Sequence, residues 1–435
     1  MKPALATGSL WEATAEPAPD APPLEGETQA DVAVVGGGFC GLSCALHLAE
    51  GGRDTVLLEA QSCGWGASGR NGGQLIPCFK DDPEDLVARH GPELGGAMAD
   101  LGAGSGDLVA GLIARHDIEC AFHRDGWILG VHSQAALPAI KERARQWQAR
   151  GRDVRLLGRD EVAALTGCDH YVAGYLDPTG GGLNPMSLAR GLAKAAQRAG
   201  ARIHASSPAT RIERAADGWR VITPRGVVSC GQIVLATGAY SGGLVPALRR
   251  SILPMQSLQI ATEPLPDDIR ASILPGDHVV SDTQRLLLYF RLNEEGRLVF
   301  GGRGATGGEG IKPAHLARLE ATMRNYLPQI GDIPVRYHWA GQVDLTPERA
   351  LRVHRPEPGI WTVIGFSGRG VAIAPAVGKA LAAAVMRGNT DEFPLPVTPM
   401  RPLPFHAARR PVMAAAIGLA WLRDRLDRKD GGPPL

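Results

Sequence analysis

Neither sign of charge prevails in this chain: Lys+Arg 46 stands against Asp+Glu 45, a formal net charge of +1. Without a basic excess, no nucleic-acid partner is expected. The seven cysteines form no CxxC pair and are odd in number. That argues against a zinc site and against a disulfide framework, and it suits a reducing cytoplasm. The histidines, His123, His338 and His354 among them, show no metal spacing such as HExxH, so no metal is expected. The opening stretch MKPALATGSLWEATAEPAPDAPPLEGETQAD is rich in proline and acid and has no apolar core of a signal peptide. Residues 1–29 are therefore read as an N-terminal arm of a cytoplasmic protein. The late apolar run from Pro411 to Leu422 is too short to span a bilayer and is followed by the charges RDRLDRKD. A buried or interface helix is expected there, not a membrane span. No internal repeat is present.

What is present is size and glycine. The 435 residues exceed what one hydrophobic core usually serves, and 44% hydrophobic with 21% charged residues is an ordinary globular composition. Asp31–Val35 (DVAVV) reads as a buried parallel strand, 39–50 as a helix and 55–59 (TVLLE) as a second strand, which makes a βαβ unit. A mainly helical stretch follows from about 80 to 150. Asn184-Pro185 then opens a helix, with asparagine as N-cap and proline at the first helical position. Strands are expected at ARIHA, TRIER, GWRVITP and QIVLATG, then at SLQIAT, LLLYFRL, RLVFG and HWAGQVDL, with one helix near 313–326 among them. IWTVIG is a last strand and GRGVAIAPAVGKALAAAV a small-residue helix. The βαβ signals thus fall in separated blocks, so an α/β nucleotide-binding domain (30–80, 150–250 and 345–395) is interrupted by a sheet-rich domain (81–149 and 251–344). Residues 396–435 form a C-terminal helical segment.

Between the second strand and the helical stretch lies GWGASGRNGGQL, and glycine is the residue whose ordering costs most entropy. A bound ligand would explain it. Upstream, GGGFCG places GxGxxG at Gly36, Gly38 and Gly41, directly after a strand and opening a helix whose N-terminus can meet a pyrophosphate. Glu59 ends the next strand, where a carboxylate accepts the hydroxyl hydrogens of an adenosine ribose and disfavours a 2′-phosphate. FAD and NAD both satisfy that pattern. VLATGAYSG offers a second close backbone approach at Ala236, Thr237 and Gly238. GFSGRGVAIAP offers a second helix start through Gly365, Gly368, Arg369, Gly370 and Val371. A simple NAD domain needs neither, whereas FAD needs contacts at its pyrophosphate and at its ring. Cys40 and Cys44, four apart on the first helix, read as small buried thiols.

These motifs together resemble the FAD-dependent oxidoreductases of the D-amino-acid oxidase type, in particular the γ-glutamylputrescine oxidase-like branch. The resemblance covers almost the whole chain, from SLW through LLEAQSCGWGASGRNGGQ and IVLATGAYS to HWAGQVDLTPE and GFSGRGVAIAP. It implies a glutathione-reductase-type (Rossmann-like) FAD domain with a β-sheet substrate domain. It also implies FAD contacts from Phe39, Cys40, Ala60, Gly66, Ala67, Ser68, Arg70, Asn71, Gly72, Gly73, Gln74, Leu75 and Ala209. Relatives that oxidise sarcosine-like substrates link flavin to a cysteine where this chain has Trp339–Val343, so FAD is expected to be non-covalent. They also hold a substrate carboxylate with a lysine where this chain has Val371, Ala372 and Ile373, which favours an amine over an α-amino acid. Molecular oxygen is the expected acceptor. Arg369 is open to three readings: a charge on the reduced ring, a ligand for an acidic substrate tail, or a solvent-facing helix start. Gln74 is the other candidate beside the chemistry. Trp127, Tyr289, Phe290 and Trp339 are either an amine cage or core. The segment MAAAIGLAWLRDRL is read as a lid or an interface, which leaves homo-oligomerisation open.

Overall fold

Val32, Ala33, Val34 and Val35 are buried on both faces, the condition of a parallel strand covered by helices on each side. They belong to Gly26–Val35, which lies inside an eight-stranded sheet of a computed structural model that describes residues 8–305 and 310–429. Gly26–Val35 pairs in parallel with Thr55–Leu58 on one side and Gly226–Leu235 on the other. Arg202–His204 and Ile360–Ile364 extend the parallel order outward. The antiparallel strands Arg211–Ala215 and Gly218–Ile222 add a small meander to Gly226–Leu235.

The helix Phe39–Glu50 returns from the first strand and is buried along most of its length. Against it lies Gly370–Arg387, so closely that a Cβ at Gly378 would overlap the carbonyl of Cys40. The small residues expected to form that late helix are what permits the approach. Gly370–Arg387 and Pro92–Arg115 are long and apolar enough to span a membrane by length and composition. Both contribute side chains to the largest core cluster. Pro185–Arg198 starts as expected, the Asn184 side chain accepting from the N–H groups of Met186 and Ser187 at 3.1 Å.

The second sheet runs in the order Val335–Leu345, Leu253–Pro264, Arg297–Arg303, Tyr289–Leu292, Val279–Asp282, Trp127–Val131, Ala173–Asp177, Arg155–Leu157. Two features depart from the sequence reading. Trp127–Val131 is a strand inside the stretch expected to be mainly helical, and every residue in it is buried, so it carries no alternation to betray it. Arg155–Leu157 and Ala173–Asp177, placed above in the nucleotide-binding segment 150–250, pair with the second sheet instead. Their side chains (Leu157 and Leu176) join that sheet's core.

The N-terminal arm is docked. Leu10 and Trp11 are fully buried in a short helix, Leu10–Ala13, and the first strand begins at Gly26, inside the range read as arm. Residues 1–7 and 430–435 of the two terminal segments lie outside the described residues.

Candidate active site

Each glycine of the first motif has its own geometric reason. Gly36 has φ 112°, and a Cβ on it would lie 2.7 Å from the Ala236 carbonyl oxygen of the neighbouring strand. Gly41 packs helix on strand, a Cβ there overlapping the Gly36 carbonyl. Gly38 faces the glycine loop: Ser68 Oγ would be 2.9 Å from its Cβ. Gly38 is also the N-cap of Phe39–Glu50 and makes no side-chain cap; Ser68 Oγ takes that role by accepting from the Phe39 N–H at 2.9 Å. The Glu59 carboxylate accepts from the N–H groups of Gly37 at 2.6 Å and Gln61 at 2.9 Å. Burial pushes its pKa up, against the pull of those N–H donors.

The loop itself is heavily tied. Residues Ala67–Gly69 form a 3₁₀ turn. The Asn71 amide donates to Ser68 O at 2.7 Å, and its oxygen accepts from the Gly73 N–H at 2.8 Å. Arg70 turns back over Trp65, its guanidinium carbon 4.6 Å from the ring centre, and donates to Trp65 O at 2.7 Å. Its own carbonyl accepts from Trp339 Nε1 at 3.1 Å. From below, Trp11 Nε1 donates to Asn71 O at 2.7 Å while its ring meets Trp339 edge-on at 5.9 Å.

These elements wall one cavity of about 1120 Å³, reaching from the carboxyl ends of the first sheet's strands (Val35, Leu58) to the second sheet (Leu129, Ser281, Tyr289). That exceeds the roughly 300–1,000 Å³ of a common small-molecule pocket, so it has room for a dinucleotide and a further ligand. Every residue named above as a cofactor contact lines it except Gly41, Gly73, Leu75 and Gly365. Those four act one layer behind. Gly41 packs helix on strand, Gly73 meets the Leu183 carbonyl, Leu75 is fully buried in a ladder with Gly181, and Gly365 donates to Asp344. Around Gly368 and Gly370 there is open space where a Cβ would stand, a cradle that suits a flat ring at the start of Gly370–Arg387. The residues present fit FAD.

Gln74 lines the cavity, but its amide nitrogen is committed to the carbonyls of Val280 at 2.8 Å and Phe290 at 3.2 Å. Of the aromatic set only Tyr289 lines the cavity; it lies beside Gly72 and is bonded to Ser257 Oγ at 2.6 Å. Trp127, Phe290 and Trp339 are core. Arg369 is 8% exposed, which removes the solvent-facing reading. Its guanidinium carbon stands 4.8 Å over the Trp127 ring. The Cys40 thiol borders the cavity, and burial raises its pKa well above the ordinary value. It is a packing thiol, and all seven cysteines are buried and free.

Residues the sequence reading missed are Lys80, Asp82, Arg143 and Asp344, whereas the helix Arg409–Lys429 falls in the segment read as a C-terminal helix, a lid or an interface. Met413, Ala416, Ile417 and Ala420 of that helix close one side of the cavity. Asp424 pins it: the carboxylate accepts from Arg285 Nη1 at 2.9 Å and from the Leu286 N–H at 3.1 Å. With His132 and Asp427 it makes a three-ligand cluster, in which Arg285 pairs with both acids. Spacing alone held no signal for Lys80, Asp82, Arg143 and Asp344, because they converge from segments distant in sequence.

A parallel sheet with a GxGxxG turn after its first strand, a carboxylate after the next strand and a second sheet over a shared cavity are the features of a flavin-dependent oxidoreductase of the glutathione-reductase-type fold. Residues 31–384 match the family model described as DAO, FAD dependent oxidoreductase, and the chain belongs to that family. It is an enzyme of the class that oxidises amines or amino acids with FAD as cofactor. Among curated proteins it is 32% identical to the gamma-glutamylputrescine oxidoreductase of Escherichia coli (strain K12), over 97% of this chain and 99% of that one. It is 30% identical to a probable oxidoreductase, OrdL, of Haemophilus influenzae, over 84% and 85%. Among solved structures, the L-proline dehydrogenase from P. horikoshii superposes with a TM-score of 0.71 at 20% identity, covering 84% of this chain and 95% of that one. Glycine oxidase from Geobacillus kaustophilus gives 0.70 at 20%, covering 82% and 95%. These two speak for the fold.

Proposed function

We propose that this enzyme oxidises the C–N bond of a primary or secondary amine of the γ-glutamylputrescine kind to an imine, which water then hydrolyses. The observation that carries the reading is the end-to-end similarity to a gamma-glutamylputrescine oxidoreductase. Val371, Ala372 and Ile373, buried at the start of Gly370–Arg387, agree with it because they offer no cation to an α-carboxylate there. When bound, FAD supplies the hydride acceptor at its N5 and passes the electrons on, with oxygen as the acceptor proposed here.

The chain's own part is to bind, orient and exclude water. Glu59 and the Gly36–Gly38 turn would hold the adenosine and pyrophosphate end, and the Gly66–Gly72 loop, which lines the same cavity, would hold the cofactor further along. Gly368, Gly370 and the start of the late helix line the cavity and would offer main-chain N–H groups to the ring. Tyr289 walls the cavity beside Gly72, and Met413 and Ile417 shut out water, which favours the neutral amine. No general base is assigned, because positioning a neutral amine is the main requirement. The strand Val335–Leu345 contains no cysteine, which supports non-covalent FAD, and the seven reduced thiols support a cytoplasmic setting.

Anaerobic mixing of the yellow protein with a panel of amines and amino acids tests the reading. Bleaching by γ-glutamylputrescine, with kcat/KM rising with pH as the amine deprotonates, is the expected result. Bleaching only by glycine, sarcosine or proline would replace it with amino-acid oxidation. Oxygen uptake during turnover, or its absence, decides the acceptor.

A further inference from the structure

We propose that Lys80 and Arg369 form a binding site for a carboxylate carried by the substrate, apart from the nitrogen that is oxidised. The proposal rests on the amine-oxidation reading above. Its physical basis is charge balance in the cavity wall. The Arg143 guanidinium is paired with Asp82 at 2.7 Å, and Asp81 is taken by Arg89 at 2.6 Å. Asp82 also draws on Arg369 through space, but among the described residues neither Arg369 nor Lys80 has an ion-pair partner of its own. Among the described residues the Lys80 ammonium makes no hydrogen bond or ion pair, and Arg369 Nε is buried without a partner. Burial, followed by the charges of Arg369 and Arg143, pushes the Lys80 pKa well below the usual lysine range. Burial likewise lowers that of Arg369.

Taking a cation out of water without an anion is costly, and the face of Trp127 under Arg369 offsets only part of that. A ligand anion would supply what is missing. A carboxylate fits, since its two oxygens match the planar guanidinium fork and a lysine ammonium can close on the same group.

The cofactor's phosphates are not the anion in question. Their turn, Gly36 to Gly38 with Ser68, belongs to the first sheet, whereas Arg369 reaches over Trp127 of the second. Lys80 lies beyond the Gln74–Leu75 ladder, next to Arg143 of the helix Leu137–Ala149. Leu129 and Ile140 line the same wall, an apolar bed for the chain joining the ligand's two ends. The substrate class that follows is an amine tethered through an alkyl or acyl chain to a carboxylate.

Isothermal titration of the FAD-loaded enzyme with glutarate tests the site without turnover, with glutaramide as the uncharged control. The expected result is saturable binding of glutarate and none of glutaramide. Lys80→Met should weaken glutarate by tenfold or more, about 1.4 kcal/mol, and Lys80→Arg should recover most of it. The flavin spectrum and melting temperature of each variant show that it is folded. Absence of saturable glutarate binding to the wild type overturns the site. Unchanged affinity in both Lys80→Met and Arg369→Met does so too. Should no amine bleach the flavin while Lys80-dependent glutarate binding persists, the amine reading falls and the anion site stands.

Discussion

The Asp344 carboxylate accepts a 2.7 Å hydrogen bond from the N–H of Gly365, tying the end of the Val335–Leu345 strand to the turn that precedes Gly370–Arg387. The Asp344 carbonyl also accepts from the Ser367 N–H at 3.3 Å. One acid therefore holds the turn that presents Gly368 and Arg369 to the cavity. Burial pushes its pKa up to about 6 from 3.8, although the N–H groups of Gly365 and Phe366 pull the other way.

A carboxyl whose folded pKa is raised binds more protons folded than unfolded between those two values. Its contribution to stability therefore falls as pH rises from about 4 to about 6, and is level above that. Asp344→Asn keeps an acceptor oxygen for Gly365 and removes the titration. Urea melts across that range should show wild type losing stability relative to the variant as pH rises. Parallel curves would show that the carboxyl is not perturbed.

Glu59→Gln should raise the dissociation constant for FAD by roughly 10- to 100-fold, the worth of hydrogen bonds to a charged acceptor. Reconstitution of apoprotein, followed by quenching of flavin fluorescence, measures it. An unchanged constant would remove Glu59 from the ribose.

Gly378→Ala places a methyl group against the Cys40 carbonyl. Forcing the two helices apart should cost roughly 1–3 kcal/mol, visible as a lower Tm. An unaltered Tm would mean that the helices do not pack this closely.

Trp11→Ala should cost about 3–5 kcal/mol, as buried large-to-small changes do, and the purified variant should retain less flavin because Asn71 loses its support. Trp11→Phe keeps most of the packing and loses only the bond to Asn71 O, about 1 kcal/mol. Equal flavin content in wild type and Trp11→Ala would separate the arm from the cofactor loop.

The turn Gly36–Gly41 could be read from the chain because its cause is local. Gly36, Gly38 and Gly41 answer to a turn, a close approach and a helix–strand contact, all within one βαβ unit and the strand beside it. The start of the Pro185–Arg198 helix was legible from its Asn184 cap and Pro185 for the same reason. The strand Trp127–Val131 was not, since full burial erases the alternation that marks a strand. Lys80, Arg143 and Asp344 were illegible for a different reason. An unremarkable lysine or aspartate becomes functional only through what a distant segment leaves unpaired beside it, and spacing records nothing of that. Arg369 was visible in the GFSGRG turn, but its direction was settled only by its burial over Trp127, whose strand the sequence reading had missed.

The Trp11 anchor also orders events in time. Its indole joins the loop around Asn71 to Trp339, so the loop's support draws on both ends of the chain. On the ribosome the βαβ unit emerges early and can fold early. The cofactor loop reaches its final form only after the Val335–Leu345 strand has been made. Contacts so far apart in sequence form slowly. Capture of FAD is thereby expected to be a late step: a nascent chain stalled before that strand should carry a formed Gly36–Gly41 turn and retain no flavin.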